Sequence, residues 1–310
     1  MVRCSSTTKA LLLAKESKII KSSSIFWKEY FNCYDNITFE NIIKKNLSDN
    51  YNEILYKIEK KLEEFNEDNE YIISPYDDSF PKINDYVPNC EKPFLLFCKG
   101  NISLLKLIEQ NVAVIGLINP ELSIFEREEK IIKALVEKNQ IIVSGLAKGC
   151  DTLAHKICIE NKGKTIAILP SPINKIIPAE NRNLAKKILE SDGLLISEYI
   201  GEPLSRNESI KRYVERDRLQ ALFAKAIILI ASYRKGEGDS GSRHAMEYAK
   251  KYKISRYVMF DENKDKNNNQ FGLNYDLIKS NKDIKILKRN EIQKIVDLSK
   301  KIYPIQESLF

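Results

Sequence analysis

From Val112 onward the sequence alternates between short β-branched runs and longer amphipathic stretches, and this alternation constrains the fold more than any other feature. The runs are 112–117 (VAVIGL), 140–144 (QIIVS), 165–169 (TIAIL), 193–198 (GLLISE), 226–232 (AIILIAS) and 254–260 (ISRYVMF). Helical spacing lies between them, near 121–138, 151–161, 180–190, 213–224 and 241–252. Strands separated by helices imply crossover connections and a mostly parallel sheet. The strands are apolar almost throughout, which implies that both faces of the sheet are covered. The expected class is therefore α/β, with a Rossmann-like, doubly wound core over 111–287.

The flanks read differently. Residues 1–70 show helical spacing at 7–20, 24–31, 38–46 and 49–66 and are expected to form a small helical N-terminal domain, its aromatics Phe26, Trp27, Tyr30 and Phe31 serving as core. Residues 71–110, punctuated by Pro75, Pro81, Pro88 and Pro93, read as an extended lead-in to the sheet. The stretch 261–270 (DENKDKNNNQ) reads as a solvated loop before a last strand near 283–287, and 288–310 as a C-terminal helix and tail.

A chain of 310 residues, 43% hydrophobic and 30% charged, can build a sizeable core. The net charge of +7 permits an anionic partner without demanding one. No apolar run is long enough to span a bilayer, and the N-terminus lacks the apolar segment of a signal peptide. The six cysteines form no C-x-x-C pair and only two histidines accompany them, so free thiols in a reducing cytoplasm are expected, with no metal.

In an open parallel sheet, ligands sit beyond the carboxyl ends of the strands. Four loops there carry unusual residues. The first contains Gly116. The second, Ser144-Gly145-Leu146-Ala147-Lys148-Gly149-Cys150-Asp151, joins a buried strand to a helix for which Asp151 reads as the N-cap. The third runs from Pro170 to Asn181 and Arg182. The fourth, Arg234-Lys235-Gly236-Glu237-Gly238-Asp239-Ser240-Gly241-Ser242, is glycine-rich and also feeds a helix. Glycine loops at helix N-termini aim N–H groups and a positive dipole end at one place, which suits phosphate; an ordinary tight turn accounts equally well for either loop alone. Neither loop is a G-x-G-x-x-G, and no G-x-x-x-x-G-K-[ST] occurs, so no nucleotide cofactor is expected. No nucleophile stands beside a plausible base. His155 reads as a helix-stabilising or pocket-polar residue. The charged stretch 205–218 reads as a solvated helix laced with ion pairs, or as a basic edge for a nucleic-acid backbone in which Arg216 and Arg218 share a ligand at a helix start.

Taken together, these residues resemble the DprA/Smf family of DNA-processing proteins over roughly 71–287. Ser144–His155 is similar to that family's S-G-L-A-[RK]-G-[IV]-D-x-x-A-H, and Pro178-Ala179-Glu180-Asn181-Arg182 to its Y-P-x-E-N-[RK]. Ile196-Ser197-Glu198-Tyr199 resembles L-S-E-Y, Arg216-Asp217-Arg218 its R-N-R, and Ser240-Gly241-Ser242 its S-G-[ST]. Three departures stand out. G-S-R after the first strand is Gly116-Leu117-Ile118, G-x-G after the third is Pro170-Ser171-Pro172, and R-N-R is R-D-R.

The resemblance implies an extended Rossmann-like core that binds single-stranded DNA without catalysis, as a homodimer, and loads a RecA-type recombinase. It implies phosphate contacts from Lys148, Arg182, Arg216, Arg218 and Lys235, and a main-chain cradle at Gly145, Gly149, Gly241 and Ser242. Gly116, Ser144, Asp151, Asn181 and Ser240 complete the candidate set. Two alternatives stay open: a nucleotide sensor or phosphoribohydrolase-like protein, and a degenerate scaffold in a defence system. The P-G-G-x-G-T-x-x-E pattern of the phosphoribohydrolases is missing near the fifth strand.

Overall fold

The computed structural model describes residues 3–31, 33–63, 65, 69–238 and 241–298. They fall into two compact units, each assembled from separate stretches of chain: Met1–Lys106 with Ala167–Arg216, and Leu107–Ile166 with Asp217–Phe310.

The first unit begins with α1 (Ser6–Glu16), started by the Ser5 hydroxyl, which accepts the Thr8 N–H. Helix α2 (Ser23–Ile25) runs into a single π-helical turn at Phe26–Tyr30, and α3 (Asn36–Leu47) and α4 (Tyr51–Leu62) follow. Of the expected aromatic core only Phe26 is fully buried, stacked on Phe94 at 5.2 Å and edge-on to Tyr76 at 5.9 Å, while Trp27, Tyr30 and Phe31 are half-buried around it. The proline-punctuated segment holds two strands, β1 (Glu70–Ile73) and β2 (Leu96–Gly100), paired antiparallel. The first unit also contains α7 (Arg182–Glu190) and β6 (Leu194–Ser197), and β6 runs antiparallel to β2.

The second unit is the parallel part. Its strands are β3 (Asn111–Ile115), β4 (Ile141–Ser144), β7 (Ala226–Leu229), β8 (Ser255–Val258) and β9 (Ile284–Ile286), in the order β4-β3-β7-β8-β9, each neighbouring pair parallel. Strand β5 (Thr165–Ile168) straddles the division, as does α8 (Arg206–Leu222). Crossover helices α5 (Leu122–Val136), α6 (Cys150–Glu160) and α9 (Ser242–Lys251) cover the strands, whose central residues Val112–Val114, Ile142, Val143, Ile227 and Ile228 have no exposed surface. One crossover leaves β3 toward β4 while the chain returns through β7 toward β8. The loops after β3 and β7 therefore diverge at a topological switch point.

The structure departs from the sequence reading at 261–270. That stretch is not a solvated loop: it forms α10 (Glu262–Asp265) and a 3₁₀ turn at Asn269–Phe271, followed by α11 (Gly272–Ser280). Asp265 is buried under a two-pronged ion pair with Arg127 at 2.7 and 2.8 Å. Gln270 is buried too. Its Nε2 donates to the Tyr233 hydroxyl and Asn119 carbonyl, while its Oε1 accepts the Glu121 N–H. One glutamine thus clamps the loop after β3 to the loop after β7. The chain closes with α12 (Arg289–Asp297).

Asn274 of α11 finishes this corner. Fully buried, it donates through Nδ2 to the carbonyls of Ile230 and Met259, both at 2.9 Å, just beyond the ends of β7 and β8. Asn274→Ala strands both carbonyls in the core and should lower stability by about 2–3 kcal/mol, measured as a shift in urea midpoint at unchanged m-value.

Candidate functional site

The carboxyl edge of the second unit is organised around Gly149. Its φ of +74° and ψ of −124° are open only to glycine. A Cβ there would lie 2.2 Å from the Leu117 carbonyl oxygen and 2.3 Å from that of Ile118. The loops after β3 and β4 therefore touch backbone to backbone, and the contact is sealed by the Cys150 N–H donating to the Leu117 oxygen at 2.9 Å. Gly116 faces the same junction: a Cβ on it would lie 2.6 Å from the Cys150 Sγ. Both glycines are needed for packing within the chain itself.

Gly149, and not Asp151, occupies the N-cap of α6. Asp151 sits one residue inside the helix and turns back, its Oδ2 accepting the N–H groups of Gly145 at 3.2 Å and Ala147 at 3.3 Å. The loop amides at 145 and 147 thus point at a carboxylate the chain itself supplies. Ser144 is buried with its hydroxyl donating to the Val114 carbonyl, and Ser242 donates to the Gly116 carbonyl at 3.2 Å. That last bond ties the start of α9 to the end of β3, so the loops after β3, β4 and β7 form one edge.

On this edge Lys148 and Lys235 are exposed. Arg218 is 8% exposed and lies inside α8. In the first unit, Arg182 opens α7 and is exposed, Asn181 at its N-cap is buried, and Arg216 is 6% exposed. The expected helix start at 216–218 is corrected here: α8 runs unbroken from Arg206 to Leu222, so Arg216 and Arg218 point to different sides of one helix. The reason is visible nearby. Ser205 accepts the Glu208 N–H and Arg212 pairs with Glu208 at 2.6 Å, which starts the helix ten residues earlier than Arg216. Ser240 lies outside the described residues.

The histidines are engaged. His155 is fully buried, its Nδ1 2.7 Å from the Thr165 hydroxyl. That hydroxyl spends its one hydrogen on the Ile142 carbonyl, so Nδ1 carries the proton and donates. His244 lies 3.9 Å from Glu247 one helical turn on. Among the described residues no cluster of three or more His, Cys, Asp or Glu could hold a metal, and no helix is long and apolar enough to cross a membrane.

One residue beneath the site escaped the sequence reading. Glu128 occupies the buried stripe of α5 formed with Ile124, Ile132 and Leu135, and it has no exposed surface. Neither carboxyl oxygen has a hydrogen-bond partner of good geometry. Burial pushes its carboxyl well above the usual range; the neighbouring Cys150 thiol opposes this, and the Asp151 charge adds to it. Cys150 is held as a thiol by its own burial and by Glu128. An acidic residue at i, i+4 spacing within an apolar stripe was the available signal.

With this geometry in hand, comparison with known proteins places the chain. The family described as DNA recombination-mediator protein A matches residues 71–297. The chain belongs to this family. Protein Smf of Synechocystis sp. is 30% identical over 189 residues, which are 60% of this chain and 46% of that protein. DNA processing protein DprA of Streptococcus pneumoniae is 41% identical over 109 residues, 35% of this chain and 37% of its own. The chain thus spans about half or less of these curated relatives. Among solved structures, the X-ray structure of DprA from S. pneumoniae superposes with a TM-score of 0.64 at 24% identity, covering 93% of this chain and 92% of that one. A structure of the Helicobacter pylori protein, described by its single-stranded DNA binding mode, superposes at 0.57 with 23% identity over 76% of this chain and 97% of its own. At these identities the superpositions establish the fold: a Rossmann-like, mostly parallel α/β core.

Two outcomes test the site's construction. Gly149→Ala should cost roughly 2–4 kcal/mol, because a methyl group cannot share space with two carbonyl oxygens, whereas Lys148→Ala next door should stay within ~0.5 kcal/mol; urea unfolding separates the two. Glu128→Gln should remove a pH dependence. The wild-type carboxyl stays protonated when folded but ionises near its ordinary value when unfolded. Wild-type stability should therefore fall as pH rises above that value, until the raised folded pKa is reached. The Gln variant should lack this decline and match wild type only in acid, as read from urea midpoints between pH 4 and 9.

Proposed function

We propose that the protein binds single-stranded DNA through the carboxyl edge of its parallel strands, without base specificity and without catalysing a reaction. The carrying observation is the joined edge itself: three loops pinned together by Gly149 and Ser242, with Lys148 and Lys235 exposed upon it. Lysines at a switch point suit an extended polyanion, which neutral loop amides alone would hold weakly. In the first unit, Arg182, exposed at the first turn of α7, is by itself a candidate phosphate partner. Arg216 and Arg218 contribute as buried positive charge rather than as surface contacts. Gly145, Gly149 and Gly241 act by shaping the loops.

Family membership supports the reading, as does the single-stranded DNA binding mode of the H. pylori protein. It further supports delivery of the bound strand to a RecA-type recombinase, action as a homodimer, and a cytoplasmic setting. The absence of catalysis is supported by the engagement of His155 in a core hydrogen bond and by the neutral, buried state of Cys150 and Glu128.

Fluorescence anisotropy with labelled oligo-dT, a matched duplex and a panel of mononucleotides tests this at two salt concentrations. Single strands should bind more tightly than duplex. With the two exposed lysines of this edge engaged, the logarithm of the affinity should fall by about 1.4 per tenfold rise in salt, at ~0.7 per neutralised phosphate. Equal affinity at both salts, or tight capture of a mononucleotide alone, would overturn the reading in favour of a nucleotide sensor.

A further inference from the structure

The segment 261–276 reaches the loop that carries Lys235 at three points. Gln270 Nε2 donates to the Tyr233 hydroxyl at 3.0 Å, and the Leu273 N–H donates to the Ser232 carbonyl at 3.0 Å. Arg234 donates to both carboxylate oxygens of Asp276, at 2.9 and 3.2 Å. Lys235 follows directly, in a turn closed by the Glu237 N–H donating to the Arg234 carbonyl. The Tyr233 ring lies beside that turn, since a Cβ on Gly238 would come within 3.9 Å of it. Gln270 also reaches the opposite loop. Its amide donates to the Asn119 carbonyl at 3.3 Å, and its Oε1 accepts the Glu121 N–H at 3.0 Å. That loop leads back to Leu117 and Ile118, whose carbonyls pack on Gly149, the residue after Lys148.

We infer that Gln270 is a positioning residue for nucleic-acid binding: without touching the strand, it fixes the Lys235 loop relative to the loops that carry Lys148, so that the two lysines meet phosphates of one strand together. The inference rests on the single-stranded DNA reading above. Its physical basis is preorganisation. A lysine on a loop that must be ordered by the strand loses conformational freedom on binding, and one whose loop is already held loses less. Two cations kept at one spacing also act as linked sites, the second contact following the first at high effective concentration. Gln270 is suited to this because it is buried, with both amide hydrogens and its oxygen engaged. Breaking any of these bonds would leave a buried polar group unmatched, which is costly. Asp276 contributes by engaging Arg234, which assigns the phosphate contact on this loop to the neighbouring Lys235.

The test is a double-mutant cycle read by fluorescence anisotropy with labelled oligo-dT. Gln270→Met keeps the length of the side chain and removes its hydrogen bonds. Tyr233→Phe removes one hydroxyl and leaves the ring beside Gly238. Each is combined with Lys235→Ala, and circular dichroism with thermal melting identifies the folded proteins. With Lys235 present, Gln270→Met should weaken oligo-dT binding about two- to tenfold, the range for ordering one long side chain, and Tyr233→Phe should weaken it less. In the Lys235→Ala background, neither change should alter affinity by more than about twofold, the scatter of independent sites. A residue that merely supports the fold would weaken binding by the same factor in both backgrounds, and that result overturns the inference. Unchanged affinity in folded Gln270→Met overturns it as well. Where Gln270→Met does not fold, the Tyr233→Phe cycle decides by the same criteria. The two readings fail separately: wild type that ignores oligo-dT overturns the DNA reading and the inference with it, whereas wild type that binds without coupling between positions 270 and 235 overturns the inference alone.

Discussion

A missing side chain at position 149 holds the functional edge together. Two adjacent parallel strands normally release their loops independently, and side chains keep the backbones apart. Here the carbonyl oxygens of Leu117 and Ile118 fill the volume a Cβ would need. Helix α6 can therefore begin directly against the exit of β3, which lets Asp151 reach back to the 145 and 147 amides and sets Cys150 over Glu128. The loop's shape is thus a consequence of close packing, and its exposed lysine is carried on that shape. This separates two roles that a glycine-rich loop usually blurs: Gly149 builds the edge, and Lys148 faces whatever comes to it.

Much of the core was legible because buried parallel strands leave an unambiguous trace. The six β-branched runs correspond to β3 to β8 within a few residues, since a strand covered on both faces has no polar position to confuse its pattern. The segment 261–270 was misread for the opposite reason. Its many Lys, Asn and Asp residues suggest solvent, yet Asp265 and Gln270 are buried because each has found specific polar partners. Composition cannot express that. The same limit hid β1 and β2, whose proline-rich flanks mask an antiparallel pair that meets β6 through β2. It also hid the continuity of α8 through Arg216 and Arg218, where local charge pattern says nothing about the helix start supplied by Ser205 and Glu208. The burial of Glu128 is a tertiary fact, and it left a periodic signal in the apolar stripe of α5.

The charge excess of the chain is a poor guide to where an anion would settle. Arginines 127, 234 and 256 are committed to Asp265, Asp276 and Asp283. Arg256 is almost wholly buried beside its partner. The loop amides ahead of α6 that would otherwise attract phosphate already face Asp151. The edge itself carries the exposed side chains of Lys148 and Lys235, and their placement matters more than the net charge of +7. Local potential follows from which charges are paired, and pairing follows from the fold.

The make-up of the first unit bears on how the chain is synthesised. Strand β2 pairs on one side with β1, through Tyr71 and Cys98, and on the other with β6, through Cys98 and Ile196. The first partner precedes it closely on the ribosome, whereas the second emerges about a hundred residues later, a wait of roughly 5–20 s at ordinary translation rates. Throughout that interval one edge of β2, carrying the buried residues Phe97 and Cys98, stands open as a template for any other strand. Residues 101–193 separate the two, and within them 107–166 hold β3, α5, β4 and α6 of the second unit. Vectorial synthesis thus gives this protein a period of vulnerability to misassembly, and its length is set by where β6 lies along the message.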